Sequence, residues 1–243
     1  MKQYKNLIAA GCSFSADSIS GVPPTKQSVG GGCSFIDGGN NTPSTPKSWV
    51  GFLAQQLNVT SLVNVASSGH GNILTANSIL EILNKFNYDS ADTLIVFNLT
   101  DPARLDIPCD TTSLFRSNDI PWTDDIIEHS YMNVIETRKL PKKIGIDAVE
   151  KFTSNIVELL FDMLEHRKFE FYFLMMTDYT QHPYLGSIID KYKTRLITID
   201  PGTGMMEFCQ LTNNYISNFD KHPNIIGHKL IADTVYRHIK ELG

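Results

Sequence analysis

The sequence predicts a three-layer α/β/α protein with a doubly wound, mainly parallel sheet of five strands. Three observations support this fold class. Short apolar runs recur along the chain, and the run at 94–97 is continuous, as expected of a central strand that is buried on both faces. Segments with apolar residues at helical spacing lie between these runs. Strands that alternate with helices along a chain favour a parallel sheet.

The five strands are predicted at residues 6–10, 62–65, 94–97, 170–176 and 196–199. Each is a short run of mostly apolar residues, which is typical of strands in the interior of a sheet. The first strand runs directly into a turn that begins at Gly11.

The helices are predicted from the periodicity of apolar residues. They lie at 48–57, from His70 or Asn72 onward, at 148–166, 187–192 and 224–242, with a weaker pattern at 123–136. Ser48 has the side chain of a helix N-cap. The residues expected to face the core are Phe152, Ile156, Leu159, Leu160 and Met163 on the helix at 148–166, and Ile226, Leu230, Ile231, Val235 and Ile239 on the last helix.

The chain is predicted to be one domain, 1–243, because its length fits a single large core. A stretch rich in Gly, Ser, Pro and Asn, at about 15–47, interrupts the pattern directly after the first strand. A loop of that length is commonly functional or mobile. We therefore expect a flap over the site, with an inert insertion as the alternative.

Composition excludes several classes of function. The net charge of −5 and the pI near 5.8 argue against a nucleic-acid surface, which needs a basic patch. The four cysteines are widely spaced and form no Cys-x-x-Cys pair, so neither a metal site nor a disulfide scaffold is expected. No organic cofactor is implied. The sequence shows no signal peptide and no apolar stretch of membrane-spanning length, which predicts a cytoplasmic protein that does not bind membranes.

Polar residues follow the predicted strand ends. Ser13, Gly69, Asn98 and Thr177 come just after strands, and Asp220 and His222 come just before the last helix. Ligands of such sheets bind at the carboxyl ends of the strands. A serine hydroxyl becomes a good nucleophile only beside a base, and His222 is the best base by position. A capping or core histidine is the alternative for His222, and a helix-capping carboxylate is the alternative for Asp220.

Four short blocks resemble the SGNH (GDSL-type) hydrolase superfamily. They are Gly11-Cys12-Ser13-Phe14-Ser15, the stretch 64–72, Phe97-Asn98-Leu99-Thr100-Asp101, and Asp220-Lys221-His222-Pro223-Asn224. The first is similar to the Gly-Cys-Ser-Phe variant of the family's Gly-Asp-Ser motif. The third departs from Gly-x-Asn-Asp. In the last, the acid precedes the histidine by two residues instead of three, since Phe219 occupies the usual position.

The resemblance implies a flavodoxin-like SGNH hydrolase fold and a set of catalytic roles. Ser13 is the nucleophile, His222 the base, and Asp220 the acid that orients it. The backbone of Gly69 and the side chain of Asn98 stabilise the oxyanion, with Thr100 and Asn72 as alternatives to Asn98. Cys12 should face the core on the opposite side of the strand from Ser13, although its thiol is an alternative nucleophile.

The function predicted from these residues is that of a serine esterase. It would remove an acyl group, such as acetyl, from a hydroxyl-bearing small molecule or carbohydrate. Two other interpretations stay open: an acyltransferase to a sugar hydroxyl, and a catalytically degenerate member of the fold used for binding. Arg104 could hold an anionic part of the substrate or form a salt bridge beneath the third block.

Overall fold

The computed structural model describes residues 2–12, 14–15, 34–36, 48–66, 70–104, 106–108, 115–117, 145–200, 203–218 and 220–242. Its strands are β1 (Asn6–Ala10), β2 (Ser34–Ile36), β3 (Ser61–Asn64), β4 (Thr93–Leu99), β5 (Asp106–Pro108), β6 (Phe115–Ser117) and β7 (Glu170–Met175). Five of them form one sheet in the order β2-β3-β1-β4-β7, while β5 and β6 pair separately.

The sheet is mainly parallel. Strands β3, β1, β4 and β7 run in one direction, and β2 joins β3 antiparallel at the edge. In β1, Ile8 lies between Val63 of β3 and Ile95 of β4. After β1 the chain forms β3 on one side of β1, and it then crosses to form β4 and β7 on the other side. The direction in which strands are added therefore reverses between β1 and β4. In doubly wound sheets the ligand crevice opens at this reversal. The predicted α/β fold is confirmed.

Within the described part of the chain, six α-helices cover the two faces of the sheet. They are α1 (Trp49–Leu57), α2 (Asn72–Lys85), α3 (Ile146–His166), α4 (Leu185–Lys191), α5 (Met205–Thr212) and α6 (Ile225–Leu242). Alternate residues of a strand point to opposite faces. Leu7 and Ala9 of β1 therefore pack in one core with α1, α5 and α6, while Ile8 and Ala10 pack in the other with α2, α3 and α4.

The fifth strand of the sheet is not the predicted one. The segment 196–199 makes only an isolated bridge, between Leu196 and Phe173, directly after a 3₁₀ turn at Lys193–Arg195. Its apolar pattern reflects burial, because Ile197 and Ile199 are inaccessible to solvent. The fifth strand is β2, which lies inside the stretch predicted to be a loop. The rest of that stretch, from 16 to 33 and from 37 to 47, and the predicted helix at 123–136 lie outside the described residues.

The buried faces of two helices also differ from the prediction. Phe152 and Leu159 of α3 are exposed, and so are Ile226 and Leu230 of α6. On α3 the predicted Leu160 is buried, and the rest of the core side is formed by residues that were not predicted, among them Val149, Thr153, Val157, Phe161 and Leu164. Spacings of three and four residues fit two adjacent stripes on such an apolar helix, and the packing partners decide which stripe is buried. Helix α5 was not predicted from the sequence. Among the described helices, none is both long and apolar enough to cross a membrane.

Candidate active site

The turn after β1 begins at a glycine for a steric reason. Gly11 has φ of +135°, a conformation that L side chains rarely adopt, and a Cβ there would lie 1.9 Å from Asn98 Oδ1. The next residue, Cys12, is inaccessible to solvent and packs in the core with α1, α5 and α6, as predicted. Ser13 lies outside the described residues, whereas Cys12 and Phe14 on either side of it are described.

Asn98, near the end of β4, is hydrogen-bonded to this turn. Its Oδ1 accepts hydrogen bonds from the Cys12 N–H at 3.2 Å and from Ser15 Oγ at 2.7 Å. Its Nδ2 donates to Cys12 Sγ at 3.2 Å and to the carbonyl of Leu99 at 3.5 Å. The side chain is fully buried. These contacts make Asn98 part of the support of the turn, and its role at the oxyanion stays a prediction.

A short hairpin carries the last block. Tyr215 and Pro223 form an antiparallel bridge, and the N–H of Ile216 donates to the carbonyl of His222 at 3.0 Å. Asn224 closes the hairpin and begins α6, since its Oδ1 accepts from the Gly227 N–H at 2.9 Å while its Nδ2 donates to the carbonyl of Tyr215 at 3.3 Å. Hydrogen bonds thus fix the segment before α6 at Tyr215, where it begins, and at Asn224, where it ends.

Within this hairpin Asp220 contacts His222 directly. One carboxylate oxygen, Oδ1, lies 2.5 Å from His222 Nδ1 and also accepts the backbone N–H of His222 at 3.0 Å. Both side chains are partly exposed, His222 at 37% and Asp220 at 28%. The spacing of two residues therefore allows the carboxylate to orient the imidazole, although the family pattern has three.

The imidazole of His222 packs against the turn after β1. Its ring centroid lies 4.7 Å from that of Phe14, with an angle of 32° between the ring planes. Phe14 directly follows Ser13 in the chain. The segments near the two ends of the chain therefore meet at the carboxyl end of β1. The catalytic roles predicted for Ser13 and His222 at this edge stay predictions. Gly69 lies outside the described residues.

The second and third blocks are bonded to each other. The Asn72 side chain accepts the Thr100 N–H at 2.8 Å through Oδ1 and donates to the Thr100 carbonyl at 3.0 Å through Nδ2. The carboxylate of Asp106 accepts the N–H groups of Gly71 at 2.9 Å and Leu74 at 2.7 Å, and so satisfies the first turn of α2. Asn72 and Thr100, the two alternatives to Asn98 as oxyanion donor, are thus hydrogen-bonded to each other in a buried contact between the second and third blocks.

Two other polar residues adjoin the second block. Burial lowers the pKa of His70 to about 4. Arg104 donates from one guanidinium nitrogen to the carbonyl of His70 at 3.4 Å, and its predicted contact with an anionic substrate group stays a prediction. Among the described residues, no group of three or more His, Cys, Asp or Glu side chains is placed to hold a metal ion.

Sequence reasoning missed the buried polar residues that support the turn. These residues are Ser15, Asn64, Trp49 and His228. Ser15 belongs to the turn; Asn64 Nδ2 donates to its carbonyl at 2.9 Å, and Trp49 is bonded both to Ser15 and to His228. Ser15 and Asn64 belong to the first two blocks, which was the one available signal. Nothing in the local sequence distinguishes a buried serine from an exposed one.

His228 should make stability depend on pH. Burial, with a smaller contribution from the nearby His222, lowers the pKa of His228 to about 4, below the 6.5 expected in an unfolded chain. As the pH falls from 6.5 to 4, the unfolded state binds more protons, and stability should fall by up to about 1.4 kcal/mol per pH unit for this one group.

The measurement is urea unfolding at about pH 7, 6 and 5. His228→Asn should flatten the dependence, and His70 and His238, whose pKa values burial also lowers, should contribute to what remains. Thr153→Val is the matched control, because it removes a buried hydroxyl that donates to Glu150 O at 3.1 Å and no titrating group. It should lower stability equally at each pH. An unchanged slope in His228→Asn would show that His228 does not carry this dependence.

Comparison with known proteins gives solved structures of the same fold. No family model matches the chain, and no curated protein matches it in sequence. The chain is similar to the protein YxiM from Bacillus subtilis, with 13% identity and a TM-score of 0.52 over 99% of this chain and 57% of YxiM. It is also similar to a catalytic mutant of Axe2, an acetylxylan esterase from Geobacillus stearothermophilus, with 12% identity and a TM-score of 0.50 over 98% and 96% of the two chains.

A protein described as a GDSL-like lipase, from Parabacteroides merdae, aligns over 99% of this chain and 97% of its own length, at 13% identity and a TM-score of 0.42. The chain shares its α/β fold with YxiM and Axe2, as the resemblance of its sequence blocks to SGNH hydrolases predicted. At such low identity the likeness to YxiM and Axe2 concerns the fold alone. The chain also spans little more than half of YxiM.

Proposed function

We propose that this protein is a serine ester hydrolase that removes an acyl group, such as acetyl, from a hydroxyl of a carbohydrate. One observation carries the proposal. The His222 imidazole is held by Asp220 through Nδ1 and packs on Phe14, the residue after Ser13. A base oriented by a carboxylate and placed beside a serine turn is the arrangement that nucleophilic acyl transfer requires.

The proposed reaction begins at the Ser13 hydroxyl. Because Nδ1 of His222 faces the Asp220 carboxylate, Nε2 is the nitrogen that takes the proton as Ser13 Oγ attacks the ester carbonyl. The backbone N–H of Gly69 and the amide of Asn98 donate to the oxyanion that forms. The C–O bond to the alcohol then breaks, and the leaving alcohol takes the proton from His222. Water repeats the sequence on the acyl-serine and releases the carboxylic acid.

The contacts of Asn98 bear on its part in this scheme. Its Nδ2 donates to a thiol sulfur, which is a weak acceptor, and to a carbonyl at 3.5 Å, which is a long contact. Neither contact is strong enough to compete well with a developing negative charge. Asn98 must therefore exchange one of these buried contacts to reach the oxyanion, and the backbone amides of the turn after β1 are the other donors.

Acetylated sugars are the first substrates to test. A solved structure with the same fold is described as an acetylxylan esterase, and fold alone assigns no substrate. The partly exposed His222 and Asp220 leave the proposed base accessible to a bulky ester. An acyl-serine can also pass its acyl group to a sugar hydroxyl, so transfer and hydrolysis share the first half of this reaction.

A fluorophosphonate probe tests the proposal. It should label the folded protein, and tryptic digestion should place the label on the peptide 6–26, with fragmentation assigning it to Ser13. Acetylated xylo-oligosaccharide should slow the labelling by competition. Folded protein that never reacts, yet still binds the sugar, would support the degenerate binding protein instead.

A further inference from the structure

A chain of buried hydrogen bonds links the turn after β1 to helix α1. The Ser15 hydroxyl donates to Asn98 Oδ1 at 2.7 Å and accepts the indole N–H of Trp49 at 3.1 Å. The Ser15 N–H donates to the Cys12 carbonyl at 2.9 Å, which closes the turn around Ser13. Ser15, Trp49 and Asn98 are all inaccessible to solvent. The position of this turn is therefore fixed by directional bonds, not by packing alone.

The same tryptophan is bonded to the helix that follows the candidate base. Its backbone N–H, the first of α1, donates to His228 Nδ1 at 3.2 Å, although the two residues are 179 positions apart. His228 lies in the first turn of α6, and Asn224 connects that turn to the hairpin of His222. Burial keeps His228 neutral, since its pKa is lowered to about 4. An uncharged ring is what an accepting Nδ1 requires.

Trp49 is thus hydrogen-bonded both to the turn after β1 and to helix α6, through two different N–H groups. The indole N–H holds the turn that contains Ser13, and the backbone N–H is held by the helix that follows His222. A residue needed only to fill volume would not need an N–H donor, because phenylalanine or leucine serves that purpose in a core. Small displacements of reacting groups cost rate steeply, with about 1 Å able to cost about 100-fold.

We propose that Trp49 is a positioning residue that sets the distance between the Ser13 turn and His222 through its indole bond to Ser15 and its backbone bond to His228. This inference rests on the proposed serine hydrolase function. Trp49 does not contact the reacting atoms in this scheme, and it acts through Ser15. Loss of its N–H should therefore slow the chemical step while leaving substrate binding intact.

The test is Trp49→Phe, which keeps an aromatic ring and removes the donor. We expect kcat for p-nitrophenyl acetate and the rate of fluorophosphonate labelling to fall about tenfold to 100-fold, with KM little changed. Ser15→Ala removes the acceptor together with the bond to Asn98, and should give at least the same loss. The double variant should be no worse than Ser15→Ala alone, because the indole bond is already absent there. Ser15→Ala also serves if Trp49→Phe does not fold.

Tyr4→Phe is the matched control. It removes a buried aromatic donor that bonds Glu170 at 2.5 Å, just before β1 at the opposite edge of the sheet from the turn. It should lose stability and keep full activity. If folded Trp49→Phe and Ser15→Ala both react at the wild-type rate, the indole bond has only a structural role and the inference is wrong. Wild-type protein that never labels would overturn the proposed function itself, and the inference with it.

Discussion

Ser13→Ala should abolish the hydrolysis of p-nitrophenyl acetate, with a loss in kcat on the order of 10⁶-fold if the serine, histidine and aspartate act together. The reason is chemical. Without the hydroxyl no acyl-serine can form, and His222 has no proton to accept at this position. Fluorophosphonate labelling should disappear as well. The circular dichroism spectrum and urea midpoint should change little, because the hydrogen bond between Ser15 and Asn98 that holds the turn is kept.

Cys12→Ala is the control for this experiment. Cys12 is the neighbouring nucleophile in the sequence, but its Sγ accepts from Asn98 Nδ2 and its side chain is fully buried. The variant should retain labelling and lose stability through the small cavity it leaves. If Cys12→Ala were inactive and Ser13→Ala active, the nucleophile would be the Cys12 thiol, and the serine-hydrolase proposal would fail.

The fold was predictable where burial and periodicity agree. Strand β4 is buried along its whole length, and its continuous apolar run predicted a central strand correctly. The segment 196–199 has the same kind of run, and Ile197 and Ile199 are as deeply buried, yet it forms only one bridge. Apolar sequence reports burial, and pairing with a neighbouring strand is a further condition that the run does not contain. Strand β2 shows the reverse, since a strand of only three residues within a Gly- and Ser-rich stretch gives too short an apolar run to be recognised.

The part of the candidate site that lies at the carboxyl ends of strands could be predicted from the sequence. The sequence placed His222 and the turn after β1 at one edge of the sheet, and the contact between Phe14 and His222 is there. It could not give the contacts of Ser15, Trp49 and His228, because each joins segments that are distant in the chain. Such contacts depend on how the helices pack, and no local pattern encodes them.

Asp220→Asn should lower kcat by orders of magnitude, up to about 10⁴-fold, with little change in KM. Asp220 Oδ1 lies 2.5 Å from His222 Nδ1. In the proposed mechanism, the carboxylate holds the proton on Nδ1 and stabilises the imidazolium that forms when Nε2 takes the serine proton. An amide carries no charge to stabilise that imidazolium, and it can present N–H to Nδ1, which favours the wrong tautomer.

The competing interpretation makes Asp220 only a turn residue, since the same oxygen accepts the backbone N–H of His222 at 3.0 Å. In that case Asp220→Asn should cost about 1 kcal/mol of stability and leave turnover near normal. Ser217→Ala is the matched control, because Ser217 Oγ accepts the Asp220 N–H at 3.1 Å in the same hairpin and its loss leaves the carboxylate of Asp220 in place. Melting temperature and kcat are measured on both variants. If Asp220→Asn and Ser217→Ala lose similar stability but only Asp220→Asn loses turnover, the carboxylate orients the base; equal turnover in the two variants would reduce Asp220 to a structural role.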